Sequence, residues 1–192
     1  MKTLIHYQQK QIKELIEQLI LLNGLYAKRS FSFEQQLIEF LENSLKLFEQ
    51  MNKSSQSAKI SELRIYLETA QRGINPQTLQ RLKTGKRENL WIASFHILEE
   101  ISHLLQDAIE EVDEKIDQAR ELIEQVILLA IQSKLIGDED LKKLQHQEQI
   151  AQLWSRLSQN EQVNLIDKRL KLSITGEDII ILCDVVCSKI RS

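Results

Sequence analysis

The sequence predicts an all-α protein, a multi-helix bundle built around one long central helix. Three observations carry that expectation. Glycine occurs five times and proline once in 192 residues, so the chain has few places to break a helix. Apolar residues recur at three- and four-residue spacing through most of the length. The stretch Asn89–Leu135 contains neither glycine nor proline.

The elements follow in order. Residues 3–22 place Leu4, Ile5, Ile12, Leu15, Ile16, Leu19, Ile20 and Leu22 at helical spacing, and Asn23–Gly24 reads as the stop. Ser32 is placed to cap a second helix, 33–51, with Phe33, Leu37, Phe40, Leu41, Leu45 and Phe48 on one face. The polar run at 52–57 reads as a loop. A third helix follows over about 58–72, ended by Gly73 as a left-handed cap residue. Beyond Asn89, apolar residues fall at Ile101, Leu105, Ala108, Val112, Ile116, Ala119, Ile123, Val126 and Ala130. The steps are heptad-like with one extra step of four, the pattern of a stutter. A single helix of roughly 45 residues, near 65 Å at 1.5 Å per residue, is expected there, either bent or extended as a pairing arm. In the last third, a glycine lies beside a cap candidate at Asp138 and again at Thr175. The β-branched run at 178–187 fits a strand or a helix. Its apolar face, Ile179, Cys183, Val186, Cys187 and Ile190, favours the helix.

Composition narrows the class. Hydrophobic residues make up 42% and charged ones 28%, which is a globular composition, not a disordered one. The first residues lack the pattern of a signal peptide, and no apolar run approaches the roughly 18–20 residues of a membrane span. With only Cys183 and Cys187, read as reduced core thiols, a cytoplasmic protein without membrane contact is expected. The net charge of −3 is unevenly spread. Residues 59–87 carry seven Lys/Arg against two Glu, and residues 99–124 carry ten acids against Lys115 and Arg120.

The basic stretch is the most informative. Gly73 can turn the chain, Asn75 suits an N-cap and Pro76 the first helical position, so a short helix over 76–84 is expected, stopping at Gly85. Ile74, Leu79 and Leu82 would pin it to the core. Gln77, Thr78, Gln80, Arg81 and Lys83 would then face outward, with residue types suited to base edges and phosphates. Lys86 and Arg87 follow as backbone contacts. Residues about 58–106 resemble the helix-turn-helix of phage-repressor (Cro-like) DNA-binding domains. The resemblance rests on Gly73, Ile74, Leu79 and Leu82, on the segment 81–87 and on the apolar helix 90–105. Thr69 departs from it, standing where that family prefers a small residue. The resemblance implies a recognition helix entering the major groove of double-stranded DNA.

Other constellations carry less. Glu100 and His103 form an E-x-x-H beside His96 and Glu99, but no second copy exists, so no metal or other cofactor is expected. Cys183 and Cys187 read as packing, as do Trp91 and Trp154. No phosphate-binding glycine loop or nucleophile elbow occurs, and no catalytic residue is assigned. The chain divides by pattern into a helical hairpin (1–57), the helix-turn-helix-like segment (58–106) and the long acidic helix with the C-terminal helices (107–192), or folds as one domain. The expected function is non-catalytic DNA binding in transcriptional regulation, with self-association into a homo-oligomer through the long helix. The alternative is a helical adaptor or scaffold subunit that binds a protein partner and self-associates through its amphipathic helices.

Overall fold

The expected long helix is present and organises the chain. In this computed structural model, residues 4–76, 78–81, 85–137, 140, 144 and 146–191 are described, the side chains of Lys86 and Arg191 excepted. Among them are seven helices: α1 (Ile5–Ala27), α2 (Phe33–Gln50), α3 (Ser54–Gln71), α4 (Lys86–Gln132), α5 (Gln147–Leu157), α6 (Glu161–Ser173) and α7 (Gly176–Arg191). The described residues contain no strand, only one isolated antiparallel bridge between Ile74 and Arg81. The run at 178–187 is helical. Two compact units form, Gln9–Glu110 and Met1–Gln8 with Glu111–Ser192. Helices α1 and α4 each contribute to both.

Helix α4 is 47 residues long. All nine positions of its seam, from Ile101 to Ala130, are buried. The seam expected to pair with another chain is therefore consumed within this one. In the unit Gln9–Glu110, α2 packs on α3. Its core is made from Ile12, Leu15, Leu19 and Leu22 of α1, Phe33, Leu37, Phe40, Leu41 and Phe48 of α2, Ile60, Leu63 and Leu67 of α3, and Leu90 to Leu105 of α4 at its buried positions. Ser44 and Ser94 are fully buried, and their hydroxyls have no hydrogen-bond partner.

Several boundaries differ from expectation. Helix α1 runs through Asn23–Gly24 to Ala27 because Tyr26, beyond the expected stop, packs on residues far along the chain. Tertiary contact there outweighs the roughly 1 kcal/mol that a mid-helix glycine costs. Ser32 occupies the cap position of α2 but makes no side-chain cap bond; its hydroxyl meets that of Ser30 at 3.0 Å. Helix α3 starts at Ser54, inside the expected loop. Ser57 and Ser61 donate to the carbonyls four residues back (3.0 and 2.9 Å), so these serines do not compete with the helix. Gly73 does end α3 with φ +76°: its N–H donates to Ala70 O at 2.9 Å and that of Ile74 to Thr69 O at 3.2 Å.

In the other unit, α5 packs on α7. Trp154 donates its ring N–H to Asp167 (2.9 Å), which also accepts from Lys171 (2.6 Å). The capping expected at Thr175 is realised, whereas Asp138 lies outside the described residues. Thr175 Oγ1 accepts from Asp178 N–H (3.1 Å), and Asp178 Oδ2 accepts from the Thr175 N–H (3.1 Å) and hydroxyl (2.7 Å). The same buried carboxylate accepts from the Ile5 N–H through both oxygens, at 3.0 and 3.1 Å. One side chain thus caps α7 and the first turn of α1, where a negative charge meets the positive end of the helix dipole. Cys183 and Cys187 are buried thiols, outside any disulfide, one turn apart on α7. The hydrogen bond with the Cys187 side chain, and then burial, push the Cys183 thiol far above its ordinary range, so it stays protonated.

Asp178→Ala is expected to lower unfolding free energy by about 2–4 kcal/mol, since it strips two helix starts of their acceptor. Urea denaturation measures this, and a loss under about 0.5 kcal/mol would contradict the double-cap role. A chromogenic disulfide reagent should titrate neither cysteine in native protein at neutral pH and both in guanidinium; prompt native reaction would show that the thiols are accessible.

Candidate functional site

The recognition helix expected over 76–84 is not formed at the residues described there. Capping begins as the sequence suggests: Asn75 Oδ1 accepts from Thr78 N–H (3.2 Å), and Leu79 N–H donates to Asn75 O (2.8 Å), closing one helical turn. The turn is not continued. Leu79 takes the left-handed conformation, φ +57°, with its side chain 75% exposed. Asn75 N–H then donates to Gln80 O (2.9 Å) and Arg81 pairs with Ile74, so the chain reverses. The physical reason is cooperativity. A first turn fixes several residues for one hydrogen bond and survives only if an apolar face repays it, and Leu79 has no core contact here.

The proposed contact residues are therefore not arrayed on one helix face. Thr78, Gln80 and Arg81 are exposed on the chain reversal. Gln77 and Lys83 lie outside the described residues, as does Leu82. Lys86 is the first residue of α4, and its side chain is not described. Arg87, exposed and assigned above to a phosphate, is engaged within the protein.

Arg87 leads instead to a different site, at the start of α4 and the turn between α1 and α2. Its Nη2 donates to the Arg29 carbonyl at 2.9 Å. Its guanidinium lies over the Phe31 ring, 4.6 Å from the centroid, and near Trp91 at 5.6 Å. Trp91 is anchored below. It stacks on Tyr26 (centroids 5.7 Å apart) and meets Phe33 at 5.1 Å. The Trp91 ring N–H donates to Tyr26 O at 3.2 Å, and the Tyr26 hydroxyl to Trp91 O at 3.3 Å. Arg29 pairs with Glu88 at 3.6 Å, tying the turn to α4 a second time.

These groups border a cavity of about 330 Å³ lined by Ser30, Phe31, Glu34, Gln71, Arg87, Leu90 and Trp91. Across it, Gln71 Nε2 donates to Glu34 Oε1 at 2.9 Å. The basic connection from α3 to α4 leaves from Gln71 and returns at Arg87, so it begins and ends on this rim. Phe31 is 91% exposed. One and two turns beyond Glu88 on α4, Ile92 and Phe95 are also exposed. Nothing in the spacing of "KRSFSF" distinguishes Phe31, exposed, from Phe33, fully buried two residues on.

The His–Glu face on α4 is occupied by other contacts. His96 meets the Tyr66 ring at 5.1 Å, and Glu100 pairs with Lys59 at 3.2 Å. Among the described residues no group of three or more His, Cys, Asp or Glu is placed to hold a metal ion. No helix among them is long and apolar enough to cross a membrane. No protein-family model, curated protein or solved structure matches the chain.

Phe31→Ala is expected to change stability by less than about 1 kcal/mol, because only an exposed cation–π contact is lost. Trp91→Ala should cost about 3–5 kcal/mol, the range for emptying a large core site. Equal losses in thermal or urea denaturation would mean that Phe31 is part of the core.

Proposed function

We propose that the protein is a non-catalytic helical interaction module that docks a protein partner at the corner formed by the α1–α2 turn and the start of α4. The observation that carries this reading is Phe31. A phenylalanine 91% exposed, with an arginine over its ring at the mouth of a cavity, is an unusual expense for a surface turn. Phenylalanine and arginine are also among the residue types enriched at protein interfaces. The rigid Tyr26–Trp91 pair beneath supplies the fixed base such an anchor needs.

The second reading is contact with duplex DNA in transcriptional control. It is favoured by the exposure of Arg72, Arg81 and Arg87 around one chain reversal. Without a helix over 75–81 it would rest on phosphate contacts rather than on base readout, and would be weakly sequence-selective.

A photo-crosslinking amino acid at position 31, expressed in the source cells, should give a discrete protein adduct that is absent when the same group replaces exposed Glu161. An adduct with another protein or with the chain itself supports docking at the corner, and no adduct above that control overturns it. Retardation on random duplex DNA over a salt series tests the second reading. Affinity that collapses as salt rises would support it, and no shift at low salt would remove it.

A further inference from the structure

We propose that the corner receives a second copy of this chain, seated by the acidic outer ridge of α4; the inference rests on the reading of the corner as a docking site. Charge complementarity carries it. Among the described side chains of the corner, Lys28, Arg29, Arg72, Arg81 and Arg87 stand against Glu34 and Glu88, a balance of +3 in a chain whose total is −3. The rest of the chain therefore sums to −6, and an acidic counterpart is present on the protein itself. Residues 111–124 hold six acids against Lys115 and Arg120. Of these, Glu114, Asp117 and Glu121 are exposed at steps of three and four, which places them on one face of α4, opposite the buried Val112, Ile116, Ala119 and Ile123.

The apolar components also match. The ridge continues through exposed Gln125 to Leu128, which is half exposed, and the corner presents Phe31, Ile92 and Phe95. Along the helix axis Leu128 lies seven residues beyond Glu121, and Phe95 eight beyond Arg87, separations of about 10–12 Å at 1.5 Å per residue. Lys28 and Arg81 are exposed, and Arg87 keeps guanidinium N–H groups beyond the one given to Arg29. Each copy offers one corner and one ridge. Corner-to-ridge contact can be made reciprocally by two copies about a two-fold axis or can extend head-to-tail into a ring or chain.

Sedimentation velocity on the full chain tests this. At about 20 mM salt the wild type should associate with rising concentration, and at about 0.5 M it should return to monomer, because exposed pairs are screened. The pair Lys28→Glu with Arg81→Glu, and separately Glu114→Lys with Glu121→Lys, should each remain monomeric with unchanged circular dichroism. Mixed together, they should associate again, since the native ridge of one meets the native corner of the other and the two reversed surfaces are complementary as well. A wild type monomeric at low salt up to about 100 µM overturns the inference, as does association indifferent to salt and to both charge reversals. If the chain is monomeric while position 31 crosslinks to a different protein, the corner is a docking site and only the choice of occupant fails. If neither occurs, both readings fail.

Discussion

The packing of α4 constrains everything else in the fold. Its seam from Ile101 to Ala130 advances by eight steps of three or four residues, averaging about 3.6, the period of an undistorted helix. A strict heptad repeat would drift by ~20° every seven residues and would draw a partner helix into a supercoil. The one additional step of four removes that drift. The buried stripe therefore runs along the helix instead of winding around it, and one face can be buried by the shorter helices of the same chain. All nine seam residues are buried here. Self-association through that seam would require unpacking it, so a self-contact made by α4 would have to use its exposed face.

With one helix so long, the remaining elements must turn back sharply at their ends. Helices α1 to α4 do so by the same closure, with a left-handed residue just past the end at Arg29, Asn52, Gly73 and Lys134. In each, the next N–H reaches back five residues to a helix carbonyl, from Ser30, Lys53, Ile74 and Leu135. Only one of the four uses glycine. The other three tolerate a conformation that costs a β-carbon about 1–2 kcal/mol, which the packing of the flanking helices offsets. Glycine scarcity, so useful for recognising a helical protein, thus hides where its helices stop.

That trade explains what was legible in the residues. The helical class, the long helix with its seam, the end of α3 at Gly73 and the cap at Thr175 all depend on local pattern, and all could be read. The end of α1 could not. It depends on Tyr26 meeting Trp91, 65 positions later. The segment after Gly73 shows both sides at once. Asn75 does cap a first turn, as its chemistry dictates, but continuation needed a core contact at Leu79 that only the folded chain could grant or refuse. The concentration of positive charge was plain in the sequence. Its setting was not: Arg87 lies over the Phe31 ring and donates to the Arg29 carbonyl, neighbours that no local pattern announces.

Phe31 itself stands on a fixed base. Ser30 and Ser32 share a hydroxyl contact at 3.0 Å, Ser32 N–H donates to Ser30 Oγ at 3.3 Å, and Phe33 N–H to Ser30 O at 3.4 Å. The flanking Phe33 is fully buried, and Arg87 restrains the exposed ring from the side. Ordering a floppy loop and its side chains on binding costs about 0.5–1.5 kcal/mol for each immobilised rotamer-rich group. Here much of that ordering precedes any encounter. An apolar knob held in place beside several cations can therefore gain nearly the full benefit of its burial, while the cations set the rate and choice of approach. Such a division of labour is what the proposed docking corner would use, and it also sets a limit. Where the positive groups are screened, the knob alone offers one side chain's burial, about 1.5–3 kcal/mol, too little to hold two proteins together.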